Sequence, residues 1–254
     1  MRALVRRPGA RLAEGLVTHI DRQLVAVDLA QQQWQGYVAA MEEAGWQTVE
    51  VAPEPECPDS VFVEDTMVVY DRTAVIARSG AESRRPETEA AEKAVAGFGY
   101  SLVHIEAPGT LDGGDVLKVG STVYVGRGGR TNADGLRQLR AALTPLGATV
   151  VGVPLTKVLH LKSAVTALPD GTVIGYPSIV DDVSLFDRFL PVPEEAGSHV
   201  VLLGDDRLLM ASSAPRSAEL FAELGWTPVP VDIGEFEKLE GCVTCLSVRL
   251  RAID

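Results

Sequence analysis

The sequence predicts an α/β protein built as a five-bladed propeller of ββαβ units around a central pocket. Three observations carry this. One order of elements returns about every 47 residues, the chain ends supply the two halves of a fifth unit, and reactive residues recur at one phase of the repeat. A generic α/β layer protein with similar alternation is the competing architecture.

The first complete unit begins at "DTMVVYDRTAVIAR" (65–78), two β-rich runs about the turn Asp71-Arg72. "PETEAAEKAVAGFG" (86–99) reads as a helix, with Pro86 and acids at its start and a glycine at its close. "YSLVHIEA" (100–107) is strand-like. The order repeats in "GGDVLKVGSTVYVG" (113–126), a hairpin turning at Gly120-Ser121. There follow a helix over 131–147, capped by Thr131 or Asn132 and stopped near Gly147, and the strand "ATVVGVP" (148–154). A third hairpin, 160–177, turns at Pro169-Asp170-Gly171, and "DDVSLFDRFL" (181–190) is expected to be its helix. The fourth unit comprises "HVVLLGDDRLLMAS" (199–212), "PRSAELFAELG" (215–225) and "WTPVPVD" (226–232). In the fifth, "CVTCLSVRL" at the C-terminal end and "RALVRRP" at the N-terminal end give two strands. The helix at 28–45 and the strand "WQTVEVA" (46–52) complete it. No linker or low-complexity segment divides the chain, so 1–254 is expected to form one catalytic domain.

A formal net charge of −12 argues against nucleic acid as the main partner and suits a cationic small ligand or simple solubility. Three cysteines are too few for a disulfide framework. "MRALVRRPGA" lacks the apolar stretch of a signal peptide, and no apolar run approaches the ~20 residues that cross a bilayer. The expected setting is cytoplasmic, with no membrane partner; a homodimer is left open.

Asp65, Asp112 and His160 open successive units, 47 and 48 residues apart, and Cys245 follows 85 residues later, room for one intervening unit. In a radial fold such positions converge on the axis. A thiol, an imidazole and two carboxylates meeting there form a set for covalent chemistry on a cationic carbon. Singly, each has an ordinary reading: a turn at Asp112-Gly113-Gly114, a cap at Asp65, a structural His160, a small buried cysteine. Cys242 and Cys245 raise the question of a redox or zinc CxxC. Read as a strand, "CVTCLSVRL" puts them on opposite faces with Cα atoms about 10 Å apart, beyond the ~7 Å limit for a disulfide. Cys242 is then a packing residue, and zinc lacks a second cysteine pair.

"PDSVFVEDT" (58–66), "GAESRRPETE" (80–89), "LDGGDVL" (111–117), "RTN" (130–132), "VLHLKS" (158–163) and "GCVTCLS" (241–247) resemble the dimethylarginine dimethylaminohydrolase family. The resemblance runs in order over essentially the whole chain. It implies a five-bladed α/β propeller that hydrolyses Nω-methylated arginines to citrulline through a covalent cysteine adduct, with no cofactor or metal. By motif, Cys245 corresponds to the nucleophile, His160 to the general acid and base, and Asp112 to the carboxylate that orients it. Asp65, and less directly Glu64 and Asp59, correspond to residues around the guanidinium end of the substrate. Arg84 and Arg130 correspond to residues holding its amino-acid end, and Leu16 and Leu239 to contacts through backbone or lid packing. Arginine deiminase is the nearest rival but usually carries an inserted helical domain and an aspartate where this chain has Lys162. Agmatine deiminase would leave two arginines unused, and an amidinotransferase would need a longer chain. A non-catalytic arginine-binding propeller is the reading from another class. Carboxylates near Cys245 should hold its thiol protonated until a guanidinium cation arrives.

Overall fold

The two strands of each hairpin read as near-continuous apolar runs because both of their faces are largely buried. Neighbouring residues point to opposite sides of a strand. Here they enter different clusters: Met67 and Val69 pack with Leu4, Val248 and Leu250, whereas Val68 packs with Val116, Val123 and Leu139. Leu208 and Met210 likewise separate from Leu209 and Ala211.

The computed structural model describes residues 1–250, so the last four residues of the 1–254 span lie outside the described part. Five three-stranded sheets account for its strands. The first blade joins β1 (Arg2–Val5), α1 (Val27–Glu43) and β2 (Gln47–Glu50). The second contains β3 (Met67–Tyr70), β4 (Thr73–Ile76), α2 (Thr88–Ala96) and β5 (Ser101–His104). The third contains β6 (Val116–Val119), β7 (Thr122–Arg127), α3 (Ala133–Leu143) and β8 (Thr149–Pro154). The fourth has β9 (Val165–Ala167), β10 (Val173–Gly175) and β11 (Phe189–Pro191). The fifth has β12 (Val200–Gly204), β13 (Arg207–Ala211), α4 (Pro215–Glu223) and β14 (Thr227–Val231). A short helix, α5 (Gly234–Glu237), leads back to the first blade, where β15 (Val248–Leu250) pairs antiparallel with β1, Arg2 opposite Leu250.

Each middle strand is antiparallel to one neighbour and parallel to the other, as a hairpin followed by a crossover requires. Each of the five apolar clusters sits between two adjacent blades, and the cluster joining the fifth blade to the first closes the ring. No described helix is long and apolar enough to cross a membrane.

Two sequence expectations fail. "DDVSLFDRFL" forms no α-helix: a single helical turn, Val183–Leu185, leads into β11. Asp182 accepts hydrogen bonds from the N–H and hydroxyl of Ser184, a local turn that competes with helix, while Phe186 packs into the adjoining junction. "CVTCLSVRL" is a strand only over Val248–Leu250. Asn132, not Thr131, caps α3 by accepting from the N–H of Gly135.

Candidate active site

In each blade that bears a reactive residue, a short turn precedes the first strand, and the residue lies on or against that turn. Asp65 lies in the turn Val63–Thr66, Asp112 just before Gly113–Asp115, and His160 just before Leu161–Ser163. Cys245 closes a turn whose N–H donates to the carbonyl of Cys242. The turns point inward at the axis. Asp65, His160 and Cys245 line one cavity of about 20 Å³, shared with Asp59, Arg84, Arg130, Leu16 and Leu239. Asp112 sits behind His160 and is fully buried.

His160 lies between two carboxylates. Its Nε2 is 3.1 Å from Asp112 Oδ2 and its Nδ1 3.8 Å from Asp65 Oδ1. Burial alone would discharge the ring. Asp65, the hydrogen bond with Asp112 and the nearby Asp115 reverse this and raise its pKa to about 9. Burial likewise pushes Asp112 and Asp65 upward, but for Asp112 the hydrogen bond with His160, its charge and those of Arg84 and Arg130 hold the carboxyl well below the usual range, and for Asp65 the charges of His160 and Arg84 lower it. Asp65 Oδ1 accepts from the N–H of Gly114 at 2.8 Å, and Asp112 Oδ1 from that of Gly80 at 3.1 Å. Gly114 has to be glycine, since a Cβ there would stand 2.6 Å from Asp65 Oδ1 and 2.7 Å from His160 Nδ1.

Arg84 donates to Asp65 at 2.7 Å and to both oxygens of Glu87 at 2.8 and 3.0 Å. Its Nη2 also meets the carbonyls of Asp59 and Phe62, so most of its five donors are already used. Arg130 is freer, with one contact to Asp112 at 3.3 Å. Asp59 accepts the N–H of Leu16 through both oxygens, and Leu239 is buried at the cavity wall.

Glu64 departs from its expected place. Its Oε1 pairs with Lys162 at 2.6 Å and Arg249 at 2.5 Å, in a separate cavity of about 50 Å³. Consecutive with Asp65, it points the other way, and it lines a different space from the pocket that His160 faces.

The separation of the two cysteines is also corrected. The turn brings Cys242 Sγ to 3.3 Å from Cys245 Sγ, and both thiols are free and buried. The hydrogen bond with Cys242, burial and the charges of Cys242, Glu64 and Asp65 push Cys245 well above the ordinary thiol range. The expectation of a protonated thiol in the empty site agrees in direction, with Cys242 as an unforeseen contributor.

Several buried partners had no signal of their own in the sequence. Asp115 accepts from Thr131 Oγ1 at 2.6 Å and from the N–H of Leu161 at 3.1 Å, while Thr131 Oγ1 receives the N–H of Asp112. One carboxylate thus fixes the backbone beside both His160 and Asp112, and burial raises its pKa to about 7. The second acid of "LDGGD", inside an apolar context, was the available hint. Glu240 accepts from the N–H groups of Thr18 and His19 and from the Thr18 hydroxyl, which fastens the loop after Leu16 over the pocket. Asp65, Asp112 and His160 offer ligand atoms within 4.8 Å of one another. Those atoms already face two guanidinium groups and the imidazole, a donor set that suits ion pairs better than a metal cation.

Residues 12–208 match the family model for arginine deiminase. The N(G),N(G)-dimethylarginine dimethylaminohydrolase of Streptomyces coelicolor is 68% identical over 252 residues, covering 99% of this chain and 98% of that protein. The chain belongs to the dimethylarginine dimethylaminohydrolase family. Among solved structures, a dimethylarginine dimethylaminohydrolase with a histidine-to-glycine change, as an adduct with S-methyl-L-thiocitrulline, superposes with a TM-score of 0.92 at 34% identity. It covers 98% of this chain and 99% of its own. The Pseudomonas aeruginosa dimethylarginine dimethylaminohydrolase, as a cysteine-to-serine mutant with citrulline, gives 0.91 at 34% identity, covering 98% of both chains. For a dimethylarginine dimethylaminohydrolase family member the match therefore spans the whole ring of blades, including the seam where β15 meets β1.

Proposed function

We propose that this protein hydrolyses Nω-methylated arginines, asymmetric dimethylarginine and monomethylarginine, to citrulline and the methylamine, with Cys245 as nucleophile, His160 as acid and base, and Asp112 as its orienting carboxylate. The observation that carries the assignment of roles is the convergence of Cys245, a protonated His160 and the carboxylates of Asp65 and Asp59 on one cavity.

A guanidinium carbon is a weak electrophile because its charge is delocalised. Carboxylates that replace its water fix the cation and leave the carbon open to a soft nucleophile. Arrival of the cation opposes the negative field that keeps Cys245 protonated, so the thiol proton passes to solvent water as substrate binds. The Cys245 Sγ–C bond forms, His160 delivers its proton to the departing amine, and the C–N bond breaks. The neutral imidazole then takes a proton from water as the oxygen adds to carbon. The S–C bond breaks as the added oxygen becomes the carbonyl, its proton returns to the Cys245 sulfur, and citrulline is released. Asp112 fixes the ring by its hydrogen bond at Nε2, which leaves Nδ1 toward the Asp65 side. Arg130 has donors free for a carboxylate; Arg84, bound by Asp65 and Glu87, acts mainly by holding Asp65 ionised and in place.

Leu16, held to Asp59, walls the cavity, and Glu240 fastens the adjoining loop at Thr18 and His19. The free thiols suit a reducing cytoplasmic setting.

The test offers dimethylarginine, monomethylarginine, arginine and agmatine separately and measures citrulline and the amine released. Citrulline with dimethylamine from dimethylarginine is expected. Ammonia from arginine at the highest rate would make it a deiminase, and turnover of none would leave an arginine-binding propeller.

A further inference from the structure

Cys242 takes no part in the chemistry above, yet its sulfur touches the nucleophile's. The Sγ atoms are 3.3 Å apart, and the hydrogen bond from Cys245 N to Cys242 O, 3.1 Å, closes a four-residue turn. Such a turn keeps its end Cα atoms within about 7 Å, the span a disulfide tolerates. Reaching the ~2.05 Å of an S–S bond takes roughly 1.3 Å of side-chain movement.

The two sulfurs face different spaces. Cys245 lines the small closed pocket, whereas Cys242 lines a neighbouring cavity of about 560 Å³ that also holds His19, His199 and Glu240. Gly241 borders both. A small oxidant can therefore meet Cys242 without entering the substrate pocket. Cys242 is also the member of the pair better suited to carry charge: the hydrogen bond from Cys245 and, against burial, the imidazole of His199 lower its pKa to about 5. The carboxylates lie closer in effect to Cys245, which keeps its proton.

We propose that Cys242 and Cys245 are a redox-modification site, at which a hydroperoxide converts the pair to a reversible disulfide that removes the nucleophile. The Cys242 thiolate attacks one peroxide oxygen. The O–O bond breaks, sulfur loses two electrons and becomes a sulfenic acid, and the other oxygen takes a proton from solvent and leaves as water or an alcohol. Cys245 sulfur then displaces the sulfenic oxygen: the S–S bond forms, the S–O bond breaks, and hydroxide takes the Cys245 proton to leave as water. A dithiol reverses the step by thiol–disulfide exchange, and is itself oxidised. Cys57, which donates to the Ser83 carbonyl elsewhere, is the internal control.

The inference rests on Cys245 being the nucleophile, but its central readout does not need turnover. The intact protein is treated with hydrogen peroxide, alkylated, and cut with trypsin, which leaves both cysteines in the peptide 239–249. Loss of two hydrogens from that peptide, a fall from three free thiols to one, and activity that disappears in step and returns with dithiothreitol are expected. Cys242→Ser should give no cross-link and lose its own starting activity at least ten-fold more slowly. Inactive wild-type protein whose peptide carries no cross-link, or a Cys242→Ser variant inactivated as fast as wild type, would overturn the proposal. If the variant does not fold, the wild-type peptide mass still decides. A cross-link in a protein that hydrolyses no methylarginine would sink the functional reading and leave the modification site standing.

Discussion

The protonated His160 ties the stability of the fold to pH. In the folded protein its pKa is about 9, against an ordinary value of 6.5 in the unfolded chain. Between these values the folded state holds a proton that the unfolded state has released, so stability falls as pH rises. The contribution is complete below pH 6.5 and is lost as pH passes through about 9. Asp115, raised from 3.8 to about 7, acts in the same direction at lower pH, whereas Cys242, lowered from 9.0 to about 5, acts in the opposite direction up to pH 9, so the part of the histidine is read as the difference from a chain that lacks it. Because the folded histidine is only half discharged at pH 9, the loss between pH 7 and 9 amounts to about 1.6 units at about 1.36 kcal/mol each, roughly 2 kcal/mol. Urea unfolding at pH 7, 8 and 9, followed by tryptophan fluorescence, measures it, and His160→Gln supplies a chain without the titration. Wild type should lose stability relative to the variant across this range. Parallel curves would refute the claim that the carboxylates hold His160 charged.

Gly114→Ala places a methyl group against Asp65 and His160 and should cut hydrolysis by about 100-fold or more with the circular dichroism spectrum unchanged. Glu64→Gln leaves Lys162 and Arg249 opposite a neutral group and should cost about 3–5 kcal/mol of stability, read from the urea midpoint. Asp115→Asn loosens the backbone at Leu161 and the hydroxyl of Thr131; kcat should fall, by up to about 100-fold, with little change in KM. Thiolate absorbance of Cys245, titrated with and without a cationic substrate analogue, should show a lower pKa in the bound state; equal values would exclude coupling of ionisation to binding.

The radial plan was legible because each hairpin carries its own turn residues and most hairpin strands are apolar on both faces. The convergence of Asp65, His160 and Cys245 followed from repeat phase, and Asp112 fell into place behind the histidine. That same phase held unused information: Asp65, Asp112 and His160 all sit at turns before a strand, so Cys245 belonged on a turn too. Strand-like alternation of letters in "CVTCLSVRL" obscured this and hid the thiol pair. The missing helix after Asp182 went unseen because the Asp182–Ser184 turn is a local competition that apolar periodicity does not report. The pairing of Glu64 with Lys162 and Arg249 was not legible for another reason. Those residues are far apart along the chain, and only the closed ring brings them together, with the orientation of Glu64 set by its neighbour Asp65 facing the pocket.

The seam between β1 and β15 also orders events in time. Arg2 waits for Leu250, and Cys245 stands three residues before the strand that completes the pairing. During synthesis, four blades can pair locally while the first stays open, and the thiol is delivered only as the ring shuts. With Cys245 as the proposed nucleophile, hydrolysis requires the closed ring, because the thiol turn is anchored by the pairing of β15 with β1.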